Sequence, residues 1–73
     1  MKALRMISPR GDDTLAVWDE TTITPERLQE IQKEFNDKMA RGYFAANIDT
    51  MEITKEFDPN ANTLLIPRVQ GGL

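Results

Sequence analysis

The chain contains no cysteine and no histidine, and Ser8 is its only serine. Without cysteine there is no disulfide, no thiolate nucleophile and no Cys-based zinc site. Without histidine, the usual general base near neutral pH and the commonest metal ligand are both missing. Nothing in the sequence supplies a base for Ser8, so the chain reads as a non-enzyme with no cofactor of its own and no metal. Apolar runs are short as well. None approaches the ~18 residues of a membrane span, and the N-terminus has no signal-peptide core, so the expected compartment is the cytoplasm. Clustered positive charge is the last absence. Nine Lys and Arg are scattered among twelve Asp and Glu, leaving a net charge of −3. Neither nucleic acid nor a membrane surface is therefore an expected partner.

What remains suits one small domain. Of the 73 residues, 40% are hydrophobic and 29% charged. That composition predicts a folded chain, although one this short buries only about 60% of the surface its unfolded form exposes. "KALRMIS" (2–8) sets Leu4 and Met6 against Ala3, Arg5 and Ile7, which predicts a strand. The turn residues Pro9, Gly11, Asp12 and Asp13 follow. "TLAVW" (14–18) resumes the alternation, with Leu15 and Val17 on one face and Ala16 and Trp18 on the other, completing a hairpin. The clearest signal is a helix. Thr24 is placed as its N-cap, Pro25 at its first position and Glu26 at the positive end of its dipole. Ile23 and Leu28 fit a hydrophobic staple. Leu28, Ile31, Phe35 and Met39 share one face, and Gly42 closes the helix in a left-handed conformation behind Lys38 and Arg41.

Beyond Gly42, "YFAANI" (43–48) is a predicted strand. "DTMEITKEF" (49–57) is either a short strand or an irregular crossing, "DPNAN" (58–62) is a turn, and "TLLIPRV" (63–69) is the last strand. Being apolar on both faces, that strand is expected at the centre of its sheet. The order β-β-α-β-(β)-β predicts a two-layer α+β domain over residues 1–69, with residues 70–73 as a flexible tail. If the last strand lies parallel to the first, the result is a β-grasp: a mixed sheet of four to five strands packed on one helix.

With a last strand running into Gly71 and Gly72, the chain resembles ubiquitin-like β-grasp proteins, the superfamily that includes the sulfur carriers of molybdopterin and thiamine synthesis. "LLIPRVQGG" resembles the tail of those carriers, and "DPNANTLLIP" their acidic turn. Arg68, four residues before the last glycine, stands where ubiquitin also has an arginine. The resemblance implies that the Gly72 carboxylate is adenylated by an activating enzyme that uses ATP, then passed to a thiol or sulfide. Catalysis would lie with the partner, and this chain would be its substrate. Gly71 and Gly72 lack a Cβ and can thread a narrow channel. Leu73 departs from the sulfur-carrier pattern. It implies a protein modifier whose Gly72–Leu73 bond is cut by a processing peptidase before transfer, with or without a conjugating enzyme, to a target protein. A sulfur carrier that forms a thiocarboxylate and serves a sulfur-accepting enzyme is the alternative. A β-grasp interaction or assembly module that is never activated is a second one.

Arg68, Val69 and Gln70 are the expected partner-binding residues of the tail. Leu64 and Ile66 join them if Leu65 faces the helix, because alternation then turns both to the opposite face of the sheet. Burial under the 49–57 segment is the competing expectation. Other patterns carry less. Trp18 and Tyr43 are expected to pack, at the hairpin edge and the helix end. "DPNANT" faintly resembles a calcium loop but lacks its glycine and its final glutamate. Asp12 and Asp13 are neighbours in a turn, which is no arrangement for paired-carboxylate catalysis.

Overall fold

The computed structural model describes residues 1–67. Strands β1 (Lys2–Ser8) and β2 (Gly11–Trp18) form an antiparallel hairpin that leads into helix α1 (Pro25–Ala40). The chain returns through β3 (Tyr43–Asn47), β4 (Glu52–Thr54) and β5 (Thr63–Pro67). The sheet has five strands in the order β2-β1-β5-β3-β4, with β5 parallel to β1 and antiparallel to β3. This is an α+β arrangement of a mixed sheet and a single helix, compatible with a β-grasp-like fold. The apolar last strand is central, as its composition requires.

Helix α1 begins and ends where its caps dictate. The Thr24 hydroxyl accepts the Arg27 N–H at 3.2 Å, and Pro25 occupies the first turn, where a missing N–H costs nothing. At the other end Arg41 is the cap, and the next residue, Gly42, takes φ +99°, a region closed to most side chains. Its N–H is held by the Met39 carbonyl at 3.1 Å. Ile31 and Phe35 are buried, Met39 packs beside them, and Leu28 is half-buried. From the sheet, Leu4, Ala16, Trp18, Ala45 and Leu65 complete the core.

Four expectations need correction. The first turn is only Pro9–Arg10; Gly11, Asp12 and Asp13 already belong to β2 and pair with Ser8, Ile7 and Met6. The simple alternation of 14–18 also fails. Leu4 pairs with Ala16 and Arg5 with Thr14, so Leu15 is an extra residue, a bulge that lets it pack on the core while Val17 stays exposed. Third, β3 stops at Asn47 rather than Ile48. Trp18 does not cap an edge but is a core residue, only 4% exposed. Residues 68 and 69, assigned above to the last strand, lie outside the described residues.

The β3–β4 loop closes on Asn47. Its Oδ1 accepts from the Asp49 and Thr50 N–H groups, and its carbonyl accepts from Met51 N–H at 2.8 Å. The Ile48 N–H donates to the Asn62 carbonyl, and Asn62 Nδ2 donates to Asp49 Oδ2. Tied down in this way, Met51 adopts φ +62°, which a side chain with a Cβ enters at a cost of ~1 kcal/mol or more. Met51→Gly is accordingly expected to raise the unfolding free energy by up to about 1 kcal/mol. Urea denaturation checks this, and a fall in stability would contradict it.

The β2–α1 loop carries the shifted carboxyls. Asp19 Oδ1 accepts from the Thr21 hydroxyl at 2.6 Å and the Thr21 N–H at 2.9 Å, which lowers the Asp19 pKa. That of Glu20 is lowered first by its own backbone N–H, then by the Met1 ammonium at 3.3 Å and by Lys2 at 3.9 Å. A carboxyl with a depressed folded-state pKa stabilises fully above its unfolded value and loses that contribution as pH falls through the folded one. Stability is therefore expected to decline below about pH 4, the ordinary carboxylate range. Thr21→Val removes the hydroxyl that bonds Asp19 and should shrink the decline, although the Thr21 N–H bond remains; an unchanged acid limb would exclude the hydroxyl bond as a contributor.

Candidate functional site

Helix α1 covers one face of the sheet. Leu65, fully buried, faces the core, so Leu64 and Ile66 lie on the other face. Pairing brings partners to each. Leu64 lies between Arg5 of β1 and Ala46 of β3, and Ala46 is followed across the sheet by Ile53 of β4. Ile66 is opposite Phe44. The register therefore assembles a patch of Phe44, Ala46, Ile53, Leu64 and Ile66 that no helix covers among the described residues. Arg5 and Asp12, joined at 3.3 Å, form a polar border on the β1–β2 side.

Leu64 and Ile66 are half-buried, and the 49–57 segment does not cover them. Its strand β4 is an edge strand, separated from β5 by β3, and its own Ile53 is 64% exposed. Phe57, from the same segment, turns the other way and packs its ring 5.7 Å from both Trp18 and Phe35. The competing expectation of burial under that segment is thereby excluded.

The chain reaches the end of β5 at Pro67, opposite Tyr43 and next to the Phe44–Ile66 end of the patch. Arg68, Val69, Gln70, Gly71, Gly72 and Leu73, where the tail contacts, the activation site and the processing site are expected, lie outside the described residues. The patch itself offers apolar area and one ion pair, which is the equipment of a binding surface. "DPNANT" forms a local turn. Asp58 Oδ1 accepts the Asn60 N–H at 2.8 Å and the Asp58 carbonyl accepts the Ala61 N–H. Among the described residues, no helix is long and apolar enough to cross a membrane.

The sequence pointed to Leu64 and Ile66 but not to Phe44, Ala46 or Ile53. Their signal lay in the pairing register, which one strand read alone does not disclose. Compared with known protein families, curated proteins and solved structures, the chain matches none.

Proposed function

We propose that the protein is a ubiquitin-like modifier. Its Gly72 carboxylate, freed by removal of Leu73, is adenylated by an activating enzyme and conjugated to a target. The observation that carries this reading is the central position of β5. The strand runs parallel to β1 and leads directly into "RVQGG", with half-exposed Leu64 and Ile66 on the face opposite the helix. A carboxylate substrate needs no catalytic side chain of its own, which accords with a chain lacking both Cys and His. Activation draws on three features of the chain. The apolar face offers docking area, Arg68 can form a bidentate pair with an acidic surface of the enzyme, and glycines admit the tail to a narrow channel.

The test uses the 1–72 form, ATP and the adenylating enzymes of the organism that encodes the chain. Mass spectrometry should find a Gly72 adenylate or enzyme thioester; none with any of these enzymes overturns the reading. A product in which sulfur replaces one oxygen of the Gly72 carboxylate would assign the chain to the sulfur carriers instead.

The open face supplies a further prediction. Leu64→Ser and Ile66→Ser delete apolar area that is only half-buried, so each should cost the fold about 1 kcal/mol or less while slowing activation severalfold. Unchanged activation rates in both variants would remove the face from the enzyme contact.

A further inference from the structure

Two features of the β3–β4 hairpin are complementary. At its tip Met51 is 83% exposed, held at φ +62° by a loop whose backbone is hydrogen-bonded to Asn47 and Asn62. A glycine would fit that backbone without strain, yet the position carries a long apolar side chain aimed at solvent. On either side of Met51 stand Asp49 and Glu52. Among the described residues, the Asp49 carboxylate accepts from the neutral Asn62 amide and is in no ion pair, and Glu52 is in none either. Towards the other end of the same hairpin lies a groove of about 340 Å³ lined by Met39, Tyr43, Phe44, Ile53 and Lys55. Lys55 is exposed and has no carboxylate within ion-pair distance among the described residues, although Glu56 is its neighbour in sequence.

We propose that the chain self-associates head to tail. Met51 of one copy enters the groove of the next, and Asp49 and Glu52 face Lys55 across the contact. The thioether chain of methionine adapts to irregular apolar gaps, and the groove is walled by such surface. Its volume is at the lower end of the ~300–1,000 Å³ of ligand pockets, which suits a single inserted side chain. The charges are complementary: an apolar knob between two carboxylates meets an apolar hollow beside the Lys55 ammonium. Those carboxylates also disfavour an anionic lipid surface as the occupant. Because its backbone is already fixed, the tip loses little freedom on binding. Met51 is not among the residues that line the groove and stands 83% exposed, so its side chain leaves the groove of its own copy unfilled and is available to that of another. The contact is heterologous and propagates unless it closes into a ring. With far less than ~1,000 Å² buried, it is weak and reversible.

Sedimentation velocity on the full chain, from about 0.02 to 2 mM, tests this. The wild type should show a sedimentation coefficient rising with concentration from that of the 8.3 kDa monomer, and added salt should suppress the rise. Met51→Gly keeps a backbone that glycine tolerates and should remain monomeric throughout. Lys55→Glu should do the same, and adding Glu52→Lys to it should restore association. Circular dichroism confirms that each variant is folded. A wild type that stays monomeric at the highest concentration overturns the proposal, as does a Met51→Gly variant that associates like the wild type, since the open face or a strand edge would then be the contact. Failure of the double charge reversal to restore association removes the Lys55 pairing and with it the proposed geometry.

Discussion

Trp18→Ala is expected to leave the chain largely unfolded at 25 °C. Three contributions disappear together. The indole is 4% exposed, so its removal forfeits most of an aromatic side chain's burial and leaves a cavity, a change that typically costs about 3–5 kcal/mol. Its ring lies 5.7 Å from that of Phe57, which in turn touches Phe35 of the helix, so the truncation also loosens the aromatic bridge between sheet and helix. Finally, Trp18 Nε1 donates to the Pro59 carbonyl at 2.9 Å, and this bond pins the 58–62 turn to the hairpin across the domain. At ~0.05–0.15 kcal/mol per residue, a chain of 73 residues holds roughly 4–11 kcal/mol in total, and a single small core places it toward the low end of that range, where the loss is comparable to the whole stability. Trp18→Phe keeps most of the packing but gives up the N–H, and should cost only about 1–2 kcal/mol. Far-UV circular dichroism in urea distinguishes the two, since both variants lack the only tryptophan and its fluorescence. A Trp18→Ala protein that retains a cooperative transition near the wild-type midpoint would show that the aromatic bridge is not what holds the layers together.

How much of this was legible in the sequence follows from where each signal resides. The helix was readable because its determinants are local: Thr24 and Pro25 at one end, Gly42 at the other, and a stripe at helical spacing between them. The central place of β5 was readable because an apolar run through Leu64, Leu65 and Ile66 suits a strand flanked on both edges, whose neighbours shield Leu64 and Ile66 in part even on the open face. The bulge at Leu15 was not, because a bulge is a property of two strands in register and only β1 reveals it. Phe57 stands alone in a charged stretch, so nothing local assigns it to the core; it is recruited by Trp18 and Phe35 from distant parts of the chain. Met51 carried no mark of its left-handed backbone, because glycine or asparagine usually signals that conformation and neither is present at that position. The candidate surface divides in the same way. Alternation alone placed Leu64 and Ile66 on a shared face, while Phe44, Ala46 and Ile53 joined it only through pairing.

Under the modifier reading, the largest functional difference is expected between the full chain and the chain cut after Gly72. Adenylation requires a free carboxylate to attack the α-phosphorus of ATP, with pyrophosphate leaving. When Gly72 is joined to Leu73, its carbonyl is part of an amide and has no anionic oxygen to make that attack. The effect of the extra residue is therefore categorical rather than a matter of affinity. The 1–73 form should give no Gly72 adenylate at any enzyme concentration, and the 1–72 form should be competent. Docking should distinguish the forms far less, because Leu64, Ile66 and the rest of the open face are identical in both. The full-length chain is thus expected to compete with 1–72 for the enzyme without being consumed. Pyrophosphate exchange measures the chemistry, and inhibition of that exchange by 1–73 measures the docking. Exchange supported equally by both forms would mean that the activated group is not the Gly72 carboxylate. Exchange by 1–72 without inhibition by 1–73 would instead place recognition in the freed terminus itself, and deny the sheet face its role in the encounter.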